Sequence, residues 1–294
     1  MRSVAVRISA PAKVNLYLAV GETLPDGYHT VDTVLQTVAL SDTVTINRAA
    51  AFSFSCVPDP IGPDGENLAV RAARAMAERY HRELQADIVI EKRIPWGAGL
   101  GGASADAAAV IRGLAEMWGV ADGDPGLTET ARSLGADVPF FLVGGAALYT
   151  GRGDLLARSV RSLDAPLVIV KPDPPVPTAA AYAAYDRLGA VRSPSYTPLL
   201  ESLEAGSARC AAELLHNAMT SASVGLVPQI ATALALLESD PGVSAALMAG
   251  SGSAVFGLCT SHSEALRIAA GARDAGFWSV ATHTAPEGCA VERV

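Results

Sequence analysis

The segment Pro95-Trp96-Gly97-Ala98-Gly99-Leu100-Gly101-Gly102-Ala103-Ser104-Ala105 constrains this chain more than any other stretch. The alternating run Asp87 to Ile94 before it predicts a strand. The alanine-rich stretch after it predicts a helix to about Trp118. Glycines at the entrance to a helix let main-chain N–H groups converge, and the helix N-terminus adds partial positive charge. Ser104 supplies a hydroxyl in the first turn. Such a loop grips a polyphosphate without basic side chains. That suits a chain with 22 basic and 30 acidic residues, a net charge of −8, and only three lysines, Lys13, Lys92 and Lys171. The acidic balance argues against a nucleic-acid binder. The string Gly97-x-Gly99-x-x-Gly102 also matches a dinucleotide fingerprint. That fingerprint requires a second strand ending in an acid, and Asp122 lies past one helix in a turn. A Walker A loop would end in Gly-Lys-Ser/Thr, and no lysine is present. The remaining alternative is a helix-packing glycine cluster, favoured by a composition rich in Ala, Arg and Gly.

Half of the 294 residues are hydrophobic and 18% are charged, which excludes a disordered chain. The length predicts two domains or one large one, with an ample core. No stretch reaches the roughly 18 apolar residues needed to span a bilayer, and none of the first twenty residues reads as a signal peptide. Cys56, Cys210, Cys259 and Cys289 form no CxxC pair and read as buried thiols in a reducing compartment. The chain is expected to be cytoplasmic, with no membrane partner.

The first half alternates strands and helices. Val14, Leu16, Leu18 and Val20 share one strand face; Lys13, Asn15 and Tyr17 share the other. Val31–Val38, Thr43–Ile46 and Phe52–Val57 are β-rich runs. Asn67 predicts an N-cap for a helix to about Leu84, and Thr128–Leu134 a short helix ending at Gly135. Phe140–Tyr149 reads as a buried strand pair broken at Gly144-Gly145. After the Gly151–Asp154 turn, Pro166–Lys171 reads as a strand. A proline-rich connector then leads to a helix that Thr178 could cap. Helices are predicted over 208–219, 226–239 and 262–275, and strands over 244–248, 253–259 and 278–283; 191–207 reads as a loop. The pattern is α+β.

The glycine loop resembles the second signature of the GHMP kinases, Pro-x-x-x-Gly-Leu-Gly-Gly-Ser-Ser-Ala. Together with PAKVNLYLAV (Pro11 to Val20), DGYHT (Asp26 to Thr30), GADVPFF (Gly135 to Phe141) and AGSGSAVFGL (Ala249 to Leu258), it keeps the motif order of one branch of that family. The resemblance implies a two-domain α+β fold, with a ribosomal protein S5 domain 2-like N-terminal domain (1–158) and a ferredoxin-like C-terminal domain (159–294). It implies ATP as co-substrate with Mg²⁺, and a monomer or weak homodimer. The acceptor implied is a small molecule, a cytidylyl diphosphate ester of a sugar alcohol.

The resemblance also assigns roles. Lys13 and Asp137 become the catalytic cation and base; their ordinary readings are an edge lysine reaching water and a cap or turn aspartate. Pro95 to Ala105 would hold the ATP phosphates, and Asn67 and Lys92 fall in the adenine pocket. Asn15 would hold the acceptor hydroxyl. Tyr28, His29 and Tyr182 would recognise the cytosine. Thr178 and Gly250-Ser251-Gly252 would approach the substrate phosphates. The chain departs from the family pattern in three places. Ala103 and Ala105 flank Ser104, Ser253-Ala254 replaces Pro-Thr, and Asn217-Ala218-Met219-Thr220 replaces Asn-Asp-Leu-Glu. No carboxylate other than Asp137 presents itself for magnesium, so the metal ligands stay unassigned. Other GHMP kinases, acting on homoserine or mevalonate, are the nearest alternative. A non-catalytic ligand sensor of the same fold should have lost Lys13 or Asp137.

Overall fold

The computed structural model describes residues 5–58, 67–189 and 192–292. In chain order the elements are β1 (Val6–Thr23), β2 (His29–Arg48), β3 (Ser53–Val57), α1 (Leu68–Arg79), β4 (Ala86–Glu91), α2 (Gly102–Trp118), α3 (Pro125–Leu134), α4 (Val138–Val143), β5 (Ala146–Thr150), β6 (Leu155–Val160) and β7 (Pro166–Lys171). They continue with α5 (Thr178–Leu188), α6 (Thr197–Glu204), α7 (Ala208–Ala212), β8 (His216–Asn217), α8 (Thr220–Leu226), α9 (Gln229–Glu238), β9 (Val243–Met248), β10 (Val255–Cys259), α10 (His262–Asp274), β11 (Trp278–His283) and β12 (Ala290–Glu292).

Two sheets organise these elements into an α+β molecule. The larger runs β12-β1-β2-β4-β3, with β5 and β6 continuing from β2 and β8 beside β1. The smaller is antiparallel in the order β11-β7-β10-β9. Counting its strands along the chain, that order is 4-1-3-2, the ferredoxin-like arrangement of a split βαβ. The long strand β1 ties the two halves together. Its Ile8 and Ala10 join the core under α1 and α2. Val14 and Leu16 pack with Leu167, Ile169 and Phe256 of the smaller sheet, and Leu18 and Val20 reach the core beneath α9 and α10. A strand buried on both faces reads as a continuous apolar run, so the few polar residues within it stand out. Among its buried residues those are Lys13 and Asn15.

Several elements depart from the sequence expectation, each for a local reason. β2 runs unbroken through Ser41-Asp42, because the Asp42 carboxylate is satisfied by the Arg93 and Ile94 amides and does not break the strand. α1 stops at Arg79, short of Leu84, where His81 takes a positive φ of 50°. Phe140 to Val143 is helical: Pro139 starts α4, and both Phe140 and Phe141 are buried, which adjacent residues on a one-faced strand cannot achieve. Only the second half of that segment, β5, is a strand, and it pairs with the unpredicted β6. The predicted helix over 208–219 breaks after Ala212, and His216-Asn217 pairs with β1. The Asn217 carboxamide donates to the carbonyls of Met248 and Gly250 and accepts from the Met219 amide, which competes with helix continuation. The 191–207 stretch contains α6; residue 191 lies outside the described residues. Thr178 is the first helical residue of α5 and not its cap. Three cysteines are buried as expected, but Cys210 is exposed.

Candidate active site

The glycine loop joins β4 to α2 and forms one wall of a cleft of about 1260 Å³. Its shape depends on glycine at two positions in particular. Gly99 has φ +76°, and a Cβ there would lie 2.1 Å from the Ala249 carbonyl oxygen. Gly101 has φ +74°, and a Cβ there would strike the Phe141 ring at 2.7 Å. The loop is thus pressed between α4 and the Gly250-Ser251-Gly252 turn, and the Ala254 amide donates to the Ala98 carbonyl at 3.1 Å.

The N-termini of α1, α3, α7 and α10 are capped by side chains of Asn67, Asp124, Ser207 and Ser261. The N-terminus of α2, at Gly101, has no side-chain cap. Other helices, such as α5 and α9, also lack a side-chain cap, but Gly101 to Ser104 line the cleft, so the first turn of α2 and the positive end of its dipole border it as an anion site would require.

Lys13 and Asn15 project from β1 beside this loop, and both are 3% exposed. The Lys13 ammonium donates to the Asn15 carboxamide oxygen at 2.8 Å and lies 3.7 Å from the Asp137 carboxylate. The Asn15 amide group donates to Thr33 Oγ1 at 2.9 Å, and Thr33 donates to the Tyr17 carbonyl at 2.8 Å. This relay fixes which end of Asn15 faces the lysine, so both its polar ends are already engaged. Asp137 occupies the cap position of α4, yet its carboxylate makes no capping hydrogen bond. It points into the cleft, its side chain 37% exposed, and is available to a ligand. A buried lysine with one asparagine and one partly open carboxylate is a poor stability device. It is well placed to act on charge developing between them.

At the far end of the cleft His29 stacks on Tyr182, centroids 5.4 Å apart at 18°, with Tyr185 edge-on at 6.3 Å. The His29 nitrogens face Asp186 Oδ1 at 3.1 Å and the Gly21 carbonyl at 3.3 Å. A heterocycle bound by His29 must replace one of these contacts. Burial, and then the Asp137 charge, pushes the Tyr182 phenol up to about 12. Tyr28 is 62% exposed, and the Arg152 guanidinium lies 4.9 Å from its ring centroid. Arg152 also pairs with Asp26, tying the Asp26–Thr30 turn to the Gly151–Asp154 turn. Thr178 and Ser251 hydroxyls are 3.1 Å apart across the cleft.

The structure thus brings Lys13, Asn15, Tyr28, His29, Lys92, Pro95 to Ser104, Asp137, Thr178, Tyr182, Gly250 and Ser251 around one cleft. Ala105 is buried behind the loop, and Gly252 beneath the neighbouring turn. Asn67 does not line the cleft among the described residues; its carboxamide oxygen caps α1 through the Ala69 amide. The Lys92 ammonium is taken by Asp42 at 2.5 Å and Asp106 at 2.6 Å. Arg152, Asp186, Asp42 and Asp106 are site neighbours that the sequence reading passed over. An aspartate inside the alanine-rich α2 was the one visible signal among them.

An uncapped glycine loop opening on a lysine–aspartate couple defines a small-molecule phosphotransferase. Family models agree: the GHMP kinases N terminal domain matches residues 67–145, and the GHMP kinases C terminal model matches 199–276. The chain belongs to the GHMP kinase family. It is 38% identical over 283 residues to the 4-diphosphocytidyl-2-C-methyl-D-erythritol kinase of Desulfitobacterium hafniense, covering 96% of this chain and 97% of that one. It is 41% identical over 281 residues to the Mycobacterium tuberculosis kinase of the same name, covering 93% and 87%. A crystal structure of 4-(cytidine 5'-diphospho)-2C-methyl-D-erythritol kinase superposes with a TM-score of 0.80 at 34% identity, covering 95% of this chain and 98% of that one. Homoserine kinase from Cytophaga hutchinsonii, at 17% identity and a TM-score of 0.75, shares the fold.

Proposed function

We propose that this kinase transfers the γ-phosphoryl group of ATP to the 2-hydroxyl of 4-diphosphocytidyl-2-C-methyl-D-erythritol. The observation that carries the mechanism is the Lys13–Asp137 couple, 3.7 Å apart beside an uncapped helix N-terminus. Its substrate rests on relatives of that name at 38–41% identity across nearly the whole chain.

Phosphoryl transfer asks a protein mainly for alignment and for neutralisation of spread-out negative charge. The loop amides and the α2 dipole hold the β- and γ-phosphates. Asp137, free of capping duty, accepts the proton of the acceptor hydroxyl as the bond to phosphorus forms. Lys13, held in place by Asn15, neutralises the oxygens of the group in flight. The cytosine sits at the Tyr28, His29 and Tyr182 end, and Thr178, Gly250 and Ser251 lie between the two ends, where the diphosphate must pass.

Among the described residues no group of three or more His, Cys, Asp or Glu side chains is arranged to hold a metal. That donor set fits Mg²⁺ carried largely by phosphate oxygens and water, with Asp137 as the carboxylate beside Lys13 that would help hold it. The ion would supply further neutralisation of the phosphate chain.

The test is ADP formation with 4-diphosphocytidyl-2-C-methyl-D-erythritol, mevalonate and homoserine as acceptors. Turnover is expected with the cytidylyl ester alone. Asp137→Ala is expected to lower it by about 10²–10⁴-fold while ATP still binds. Turnover with mevalonate or homoserine but not with the ester would remove the assignment, and full activity of the variant would remove Asp137 from the mechanism.

A further inference from the structure

Beneath the phosphate loop lies a buried cluster that the reaction scheme does not use. Asp42 of β2 accepts the Arg93 amide at 2.5 Å and the Ile94 amide at 2.8 Å on one oxygen, and the Lys92 ammonium at 2.5 Å on the other. Lys92 also donates to Asp106 of α2 at 2.6 Å. Asp42 is fully buried and Asp106 is 4% exposed. The second Asp106 oxygen is buried with no hydrogen-bond partner.

This is an expensive arrangement for a mere staple. Two carboxyl groups compete for one ammonium, leaving an orphan acceptor in the interior. A single acid–base pair, or apolar packing, would hold the same elements at lower cost. What the cluster does achieve is geometric. Asp42 grips the two residues that lead into the loop, and Asp106 sits one turn beyond its exit. The ammonium joins them, directly under the N-terminus of α2: a Cβ on Gly102 would lie 3.5 Å from Lys92 Nζ.

We propose that Asp42, Lys92 and Asp106 are positioning residues that set the span of the phosphate loop, so that Lys92 governs ATP affinity through the loop and not by touching the nucleotide. This rests on the reading of Pro95 to Ala105 as the ATP phosphate site. The two possible roles of Lys92 make opposite predictions for its partners. If the lysine were a nucleotide ligand, removing Asp42 would free the ammonium and tighten binding. If it is a brace, removing either aspartate slackens the loop and weakens binding just as loss of the lysine does.

The experiment is calorimetric titration of the intact protein with a non-hydrolysable ATP analogue and with adenosine, alongside thermal unfolding. The variants are Lys92→Met, Asp42→Asn and the pair Lys92→Met with Asp106→Leu. The pair removes the ammonium together with one of its two carboxyl partners and fills the space with apolar side chains, so a folded sample is expected even where a single variant fails. Every folded variant is expected to bind the ATP analogue at least about tenfold more weakly, because small displacements of an anion cradle are costly. Adenosine affinity should stay unchanged, and the pair should lose no more than Lys92→Met alone. Tighter binding by Asp42→Asn, or a matching loss for adenosine in Lys92→Met, would overturn the proposal. So would lower melting temperatures with unchanged analogue affinity. Failure of the wild type to bind the analogue would instead remove the phosphate-site reading, and the proposal with it.

Discussion

Individual side chains in this protein are legible by what they decline to do. Asp137 stands at a helix N-terminus without capping it, and Lys13 is buried with that partly open carboxylate, 3.7 Å away, as its ion-pair partner. Both were visible in the sequence as charges in apolar surroundings, and the resemblance supplied their pairing. Asn67 shows the opposite outcome, since its cap geometry was readable from the sequence and engages its carboxamide oxygen. Tyr28 was legible only as a turn residue, because its partner Arg152 lies more than a hundred positions away. Tyr28→Ala is expected to raise KM for the cytidylyl substrate about three- to tenfold, the worth of one aromatic contact, with KM for ATP unchanged. Steady-state kinetics with each substrate varied in turn checks this. Asp106 carries a pH signature. Burial pushes its carboxyl up to about 7 against the pull of Lys92, from an ordinary value of 3.8. The folded state therefore binds more protons than the unfolded one between about pH 4 and 7, and stability is lost as pH rises through that window. Asp106→Asn stays neutral throughout. The melting temperature of the wild type relative to this variant is expected to fall from pH 4 to pH 8, and a flat or rising difference would contradict the burial argument.

At the scale of elements, the strand–loop–helix unit of β4, the glycine loop and α2 was the most readable part of the chain. Its glycines answer real contacts and not base composition. Gly99→Ala should drive a methyl into the Ala249 carbonyl at a backbone conformation that L-residues resist. Loss of ATP-analogue binding is expected, with a melting temperature lowered by the displaced Gly250–Gly252 turn. Retained affinity would mean that the loop does not depend on this contact. Elements that escaped the sequence reading did so for different reasons. Short apolar runs such as Phe140 to Val143 do not distinguish strand from helix. The two-residue β8 exists only because the distant β1 is there to pair with it, whereas β6 is an exposed strand held by a hairpin to the neighbouring β5. Long-range pairing leaves no mark on local periodicity.

For the whole molecule, the governing feature is that β1 passes through three apolar cores. The two sheets cannot part without breaking this strand's packing, so they are expected to unfold together. Leu16→Ala, at a fully buried position between them, should cost about 2–5 kcal/mol. Single-tryptophan variants retaining either Trp118 beside the larger sheet or Trp278 of the smaller one should melt at the same lowered temperature. Two separated transitions would show that the halves are independent. The same continuity places Lys13 and Asn15 of β1 between the phosphate loop and the turn before β10, so catalysis depends on both halves keeping their relative position. The central claim is that one cleft aligns the last phosphorus of ATP with the acceptor hydroxyl beside Lys13 and Asp137. A crystal structure with a non-hydrolysable ATP analogue and 4-diphosphocytidyl-2-C-methyl-D-erythritol tests it most directly. The account predicts the γ-phosphorus about 3–3.5 Å from the 2-hydroxyl oxygen, with Asp137 on that hydroxyl and the triphosphate on the loop amides. A triphosphate bound away from the glycine loop, or an acceptor hydroxyl remote from Asp137, would contradict it.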